Sequence, residues 1–266
     1  MYNIISSYLI CTLDATYILT RGGYFLIKSE TFLTRVLPLR SAKTFIELLM
    51  GSLLTQSGFV TSAIWIVDMA RQWPGYYKWL ETSQWSYLKL MRQWTALFLK
   101  LFGDNQVYLA IDDSIMLRHS KKASMSQIHH QHGNKTNLSR YVRGQCRVAL
   151  AAIVKCSGCN TPLPLLLRLT PQAGNSGKLV IARSLIRALL KPLKDKAVTV
   201  LVDSWYMRRS FIEPVQAYNM TVIGQVRIDT VLYKRPWQRK GRGRPGKYGT
   251  RYTKEEIKRL PLNSST

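Results

Sequence analysis

The sequence is short of acid. Its 266 residues hold 14 Asp and Glu against 39 Lys and Arg, a formal net charge of +25. So large a basic excess speaks to association with polyanions, nucleic acid first and anionic membrane second. Cysteine is equally sparse. Four residues (11, 146, 156 and 159) are too few to staple a chain of this length, which points to a reducing cytoplasm. With only ten Pro and sixteen Gly, neither a collagen-like nor a low-complexity chain is possible. Hydrophobic residues make up 46%, an ordinary globular share, so general disorder is excluded. The apolar N-terminus lacks a basic leader and is broken by Asp14, so no signal peptide is expected. Phe45 to Val67 has the length of a span, but Gln56 and several Ser and Thr make it read as a buried or amphipathic helix. No Walker loop and no Gly-x-Ser-x-Gly elbow are present.

What is there divides into three stretches: a helical region over 1–102, an α/β core over 103–230, and a basic, flexible tail over 231–266. Phe45, Leu48, Leu49 and Leu53 share one helical face, and Trp73-Pro74-Gly75 interrupts the run. Leu88 to Leu101 gives another helix. Five of the seven tryptophans fall in this region, where they read as a packed helical layer. Strands are expected at 106–113, 146–154 and 162–169, the last two forming a hairpin around Ser157-Gly158. A helix follows over 176–190, then a strand over 198–203. A short helix capped by Ser204 and a strand over 220–226 complete the order. Strands joined through helices should be parallel, giving a mixed sheet with helices on its faces.

Asp112, Asp113 and Asp203 stand at the ends of two such strands. Carboxylates at neighbouring strand ends make a hard-oxygen site suited to Mg²⁺ or Mn²⁺. The alternative role for each is turn formation. Alternation sends Asp112 and Asp113 to opposite faces, so only one of the two can be central.

Three segments, Leu109-Ala110-Ile111-Asp112-Asp113-Ser114, Tyr141-Val142-Arg143-Gly144-Gln145-Cys146 and Val200-Leu201-Val202-Asp203-Ser204-Trp205-Tyr206, together resemble DDE transposases of bacterial insertion sequences. The resemblance covers roughly 105–250. It implies an RNase H-like core preceded by a helical region, metal-dependent DNA cleavage and strand transfer, and a nucleoid-associated location. The implied partner is DNA, as transposon ends and target. A homodimer is compatible with it, and membrane is not expected. The first family Asp falls in the doublet. Asp112 is favoured because Asp112-Asp113-Ser114 fits an Asp-x-Ser/Thr form, with Asp113 left open. The second matches Asp203. The family's third acid, a Glu on a later helix, has no clear match: Glu255 and Glu256 lie in a basic run, and Glu213 follows Asp203 too closely. The expectation is therefore of a chain lacking its C-terminal part, weakly active or inactive, or of a non-catalytic DNA-binding remnant.

Basic residues could hold phosphates around such a site: His119, Lys121, Lys122, Lys135, Arg140 and Arg143 after the first strand, Arg208 and Arg209 after Asp203. From Lys234 to Arg259 there are eleven Lys or Arg against two Glu. Within it Arg242-Gly243-Arg244-Pro245 has the form of an AT-hook core, suited to a narrow minor groove or to phosphate contact. His129, His130 and His132 with Cys156-x2-Cys159 raise a weaker alternative, a zinc site.

Overall fold

The computed structural model describes residues 32–55, 60–67, 69–102, 105–118, 120–130, 137–156, 158–171, 175–227, 229–234, 236–237 and 246–259, with the side chains at 53, 156, 175, 176 and 258 set aside. The chain divides into two compact units, Met1–Gly224 and Gln225–Thr266.

Among the described residues, four helices precede the sheet of the first unit: α1 (Leu39–Leu54), α2 (Val60–Ile66), α3 (Trp73–Thr82) and α4 (Tyr87–Phe102). The apolar stretch from Phe45 onward thus belongs to two helices, and among the described residues none is long and apolar enough to cross a membrane. Pro74 sits at the start of α3, where its missing N–H costs nothing. Trp79 is buried and stacks on Trp85 at 5.9 Å. Trp94 Nε1 donates to the Pro164 carbonyl at 3.0 Å, and Arg92 Nε to that of Ala188 at 2.8 Å. These aromatics are packed, as the sequence suggests. Trp65 and Trp73 instead face solvent.

A six-stranded sheet follows: β1 (Gln106–Leu117), β2 (Gln127–His130), β3 (Tyr141–Cys156), β4 (Cys159–Leu169), β5 (Ala197–Val202) and β6 (Thr221–Gly224), with α5 (Asn175–Leu189) before β5 and α6 (Arg209–Gln216) before β6. Across the sheet the order is β4-β3-β1-β5-β6, and β2 extends the β3 edge beside β4. β1 is antiparallel to β3 and parallel to β5, which is parallel to β6. An antiparallel meander continued by parallel strands through helices is the RNase H-like arrangement.

Alternation gives this sheet two unlike faces. Val107, Leu109 and Ile111 of β1, Val148, Leu150 and Ala152 of β3, and Val198, Val200 and Val202 of β5 are buried. They meet Leu179, Ala182, Leu185, Ile186 and Leu189 of α5, and Leu90, Leu97 and Phe98 of α4, in one core. The opposite face bears Tyr108, 45% exposed, Ile223, 54% exposed, and Asp112.

Two elements depart from expectation. β1 runs past Asp113 to Leu117 because β3 begins early, at Tyr141, and pairs with it. Gly144 permits that: a Cβ there would lie 2.5 Å from the Met116 carbonyl oxygen. β2 is the strand missed by sequence reading, since Gln127-Ile128-His129-His130 is polar and lacks the alternation of a half-buried strand. The second unit, taken by itself, holds a bridge between Tyr233 and Arg251 and a short helix, α7 (Lys254–Lys258), closed by a Thr253–Glu256 capping box.

Candidate active site

Ile111 and Val202 are the last paired neighbours of the parallel strands β1 and β5, so Asp112, within β1, and Asp203, just past β5, follow them side by side. Adjacent strands lie about 4.8 Å apart. By alternation both carboxylates belong to the open face of the sheet. Asp112 Oδ1 accepts the Asp113 backbone N–H at 2.7 Å. Asp203 Oδ1 accepts the N–H groups of Trp205 and Tyr206 at 3.0 and 3.2 Å. That Asx-type turn corrects the expected cap: α6 begins at Arg209, not after Ser204, and Asp203 organises the intervening loop. Pro214 lies inside α6 without ending it.

Partial burial pushes the Asp112 carboxyl above its ordinary range. The Asp113 N–H opposes that shift, the Asp113 and Asp203 charges add to it, and Lys178 offsets some of it. Repulsion of this kind marks a place where negative charge is gathered rather than dispersed.

Asp113 points the other way, into the helix-covered face. Its Oδ2 pairs with Lys178 Nζ of α5 at 2.6 Å, its Oδ1 accepts the Tyr206 hydroxyl at 3.1 Å, and Cys146 Sγ lies 3.7 Å away. Burial first, then Asp113, drives the Tyr206 phenol strongly upward, so it stays a donor. Burial likewise raises the Cys146 thiol. Lys178 also sits over the Trp205 ring, 5.4 Å from its centroid. One network therefore joins β1, α5 and the loop after Asp203.

Among the described residues no three His, Cys, Asp or Glu converge as a metal cluster. Asp112 and Asp203 fit a hard cation as a pair of oxygen donors. Glu213 is exposed and held by Arg209 at 2.6 Å on α6. Glu256 is taken by its capping box and by Lys234 at 2.5 Å, which together lower its pKa.

The basic candidates are placed unequally. Lys121 and Lys122 are exposed in the turn between β1 and β2. Arg140 Nε donates to His130 Nε2 at 3.0 Å. Arg143, on β3, is opposite Ile128 and half-buried. Arg208 stacks over Trp205 at 5.5 Å, beside Asp203. His119, His132, Lys135, Arg242 and Arg244 lie outside the described residues. The described zinc candidates are not brought together. His129 pairs with Val142, whereas Cys156 and Cys159 face each other fourteen residues further along β3, about 45 Å away at strand rise.

One residue escaped sequence reading: Arg147 on β3, 3% exposed, opposite Ser114. Its signal was a charge inside an otherwise apolar strand, Cys146-Arg147-Val148.

With this geometry in hand, comparison with known proteins gives the class. Residues 59–263 match the DDE superfamily endonuclease family, and the chain belongs to it. Enzymes of that family depend on divalent metal ions. No curated protein matches the chain. Among solved structures it is similar to a piggyBac transposase synaptic complex with hairpin DNA, at 12% identity and TM-score 0.31, covering 86% of this chain and 48% of that one. It is also similar to the Mos1 transposase paired-end complex with the left transposon end, at 9% identity and TM-score 0.25, covering 74% and 57%. A Mos1 mariner paired-end complex with Mn gives 13% identity and TM-score 0.24, covering 73% and 57%. The chain thus spans about half the length of the solved structures it matches.

Proposed function

We propose that this chain acts on DNA as a DDE transposase, cleaving strands at transposon ends and joining them to a target. The observation that carries this reading is the Asp112–Asp203 pair, two carboxylates that directly follow the last paired residues, Ile111 and Val202, of two adjacent parallel strands in an RNase H-like sheet. They are the residues to hold Mg²⁺ or Mn²⁺. Metal ions bound there would supply Lewis-acid stabilisation of the charge that develops on oxygen in phosphodiester displacement. Asp113 is assigned to structure, since Lys178 and Tyr206 already occupy its oxygens. Lys121, Lys122 and Arg208 supply phosphate contacts around the pair, and the basic segment carrying Arg242 and Arg244 supplies affinity for DNA.

A second reading, a DNA-binding chain that does not cut, is favoured by the lack of a third acid beside the pair among the described residues. Nicking of supercoiled plasmid with Mn²⁺ separates the two. The transposase reading expects nicking by the wild type that falls at least 100-fold in Asp112→Asn and Asp203→Asn, but less in Asp113→Asn. Equal nicking by wild type and Asp203→Asn removes the catalytic assignment. DNA binding without any nicking leaves the second reading.

A further inference from the structure

Among the described residues, Arg147 is a cation inside the sheet with no anion paired to it. It is 3% exposed, and its Nε and Nη1 are buried with no hydrogen-bond partner. Only Nη2 is engaged, donating to Gln145 Oε1 at 3.3 Å. Among the described residues no carboxylate pairs with it. Burial, with a smaller contribution from the charge of Arg118, lowers the Arg147 pKa. Buried charges in folded proteins are ordinarily paired and hydrogen-bonded. An Arg fork with two idle donors is an arrangement suited to a phosphate or carboxylate.

A further donor is idle in the same place. Ser126 Oγ is buried without a partner. Ser126 is two residues from Ser124, whose carbonyl accepts Gln145 Nε2, and Gln145 Oε1 in turn accepts Arg147 Nη2, so this segment adjoins Arg147 through Gln145. Arg147 lies on the side of the sheet that bears Asp112. Arg147 is opposite Ser114 and Asp112 opposite Ala149, so Arg147 and Asp112 are diagonal neighbours across β1 and β3. Such neighbours are about 7–8 Å apart.

Resting on the DNA-acting reading above, we infer that Arg147, with Ser126, forms a phosphate site for the nucleic-acid strand beside the Asp112–Asp203 pair. A backbone phosphodiester supplies the missing anion, and the site fixes the strand's register relative to the carboxylates. The segment 120–126 lies across the approach, tied down by Gln145 Nε2 donating to the Ser124 carbonyl at 2.6 Å. Its Met125 has φ 57°, left-handed backbone that a methionine adopts only under strain. Strand entry lifts this segment.

The test pairs Arg147→Met, which removes the charge at similar length, with Arg147→Lys, which keeps it. Binding of a fluorescent single-stranded oligonucleotide is measured without divalent ions across a salt series, and melting is measured with inorganic phosphate or with chloride at equal ionic strength. The inference expects Arg147→Met to melt no lower than wild type, to bind DNA about tenfold more weakly at about 100 mM salt, and to lose about one unit of salt slope. Arg147→Lys should fall between them. Phosphate should raise the wild-type melting temperature more than chloride does, and this difference should vanish in Arg147→Met. If only DNA, and not inorganic phosphate, distinguishes the two, the site is specific for a strand.

Unchanged DNA affinity and slope in both variants would overturn the inference, as would an Arg147→Met that melts lower but binds normally. Should Arg147→Met not fold, Arg147→Lys and the wild-type phosphate arm still decide it, and normal binding by Arg147→Lys with no phosphate effect on the wild type overturns it. Failure here leaves the nicking result with Asp203→Asn untouched. Failure of that nicking result leaves an Arg147-dependent phosphate site standing.

Discussion

Asp112 carries a cost that its neighbour avoids. Both side chains belong to one doublet, yet Asp113 is neutralised by Lys178 while Asp112 faces Asp203 across the strand gap. A carboxyl whose folded pKa is raised favours the fold when protonated, and that contribution is lost as pH rises through the folded value. At neutral pH, ionised Asp112 therefore works against the fold. Asp112→Asn should raise the melting temperature of the metal-free protein near pH 7 by a few degrees, and the gain should shrink to nothing as pH falls below the ordinary carboxylate range, about 3.9. Added Mn²⁺ should stabilise the wild type more than the variant. A variant that melts lower at every pH would show that Asp112 is structural. Asp113→Asn is expected to behave oppositely. It leaves Lys178, 19% exposed, without its counter-charge, a loss of about 1–3 kcal/mol readable by urea unfolding.

At the scale of elements, the loop from Asp203 to Arg208 is held from below. Gly224 of β6 lies so close that a Cβ there would sit 2.6 Å from the Val202 carbonyl oxygen and 2.8 Å from Met207. Gly224→Ala should cost about 1–3 kcal/mol. Because Val202 precedes Asp203, it should also cut nicking by on the order of 10- to 100-fold, since small displacements of reacting groups are expensive. Melting curves set against nicking rates check this: a rate that falls no further than the folded fraction would count against the coupling.

Elements of this sort differ in how readily they can be read from the residues. α5 was legible because Leu179, Ala182, Leu185, Ile186 and Leu189 all serve one buried stripe. β5 was legible because a strand buried in a parallel sheet reads as an apolar run. β2 was not, because its residues satisfy a neighbour's backbone rather than a core. Ser204 looked like a cap because local sequence cannot show that Asp203 had already engaged the same N–H groups. The carboxylate pair followed from strand-end positions and spacing, whereas Arg147 depended on register between β1 and β3, which no local pattern carries.

Across the whole molecule, charge and architecture point to the same ligand. The sheet hides one face under α4 and α5, while on the other Tyr108, Asp112 and Ile223 are exposed and Arg147 is buried. A net charge of +25 favours association with polyanions. Long-range attraction and local register are separable by salt. A protein neutralising about six phosphates loses on the order of 1,000-fold in affinity between about 50 and 200 mM salt. Lys121 and Lys122 are exposed in a turn, and Arg242 and Arg244 belong to the basic segment near the C-terminus. Replacing either pair with Ala should lower the salt slope by about two units and weaken binding to all sequences alike. If Arg242 and Arg244 read a minor groove, their loss should weaken A·T-rich duplexes more than G·C-rich ones. Equal losses on both duplexes would reduce the AT-hook form to phosphate contact, and a slope unchanged in both variants would place the DNA on a different surface.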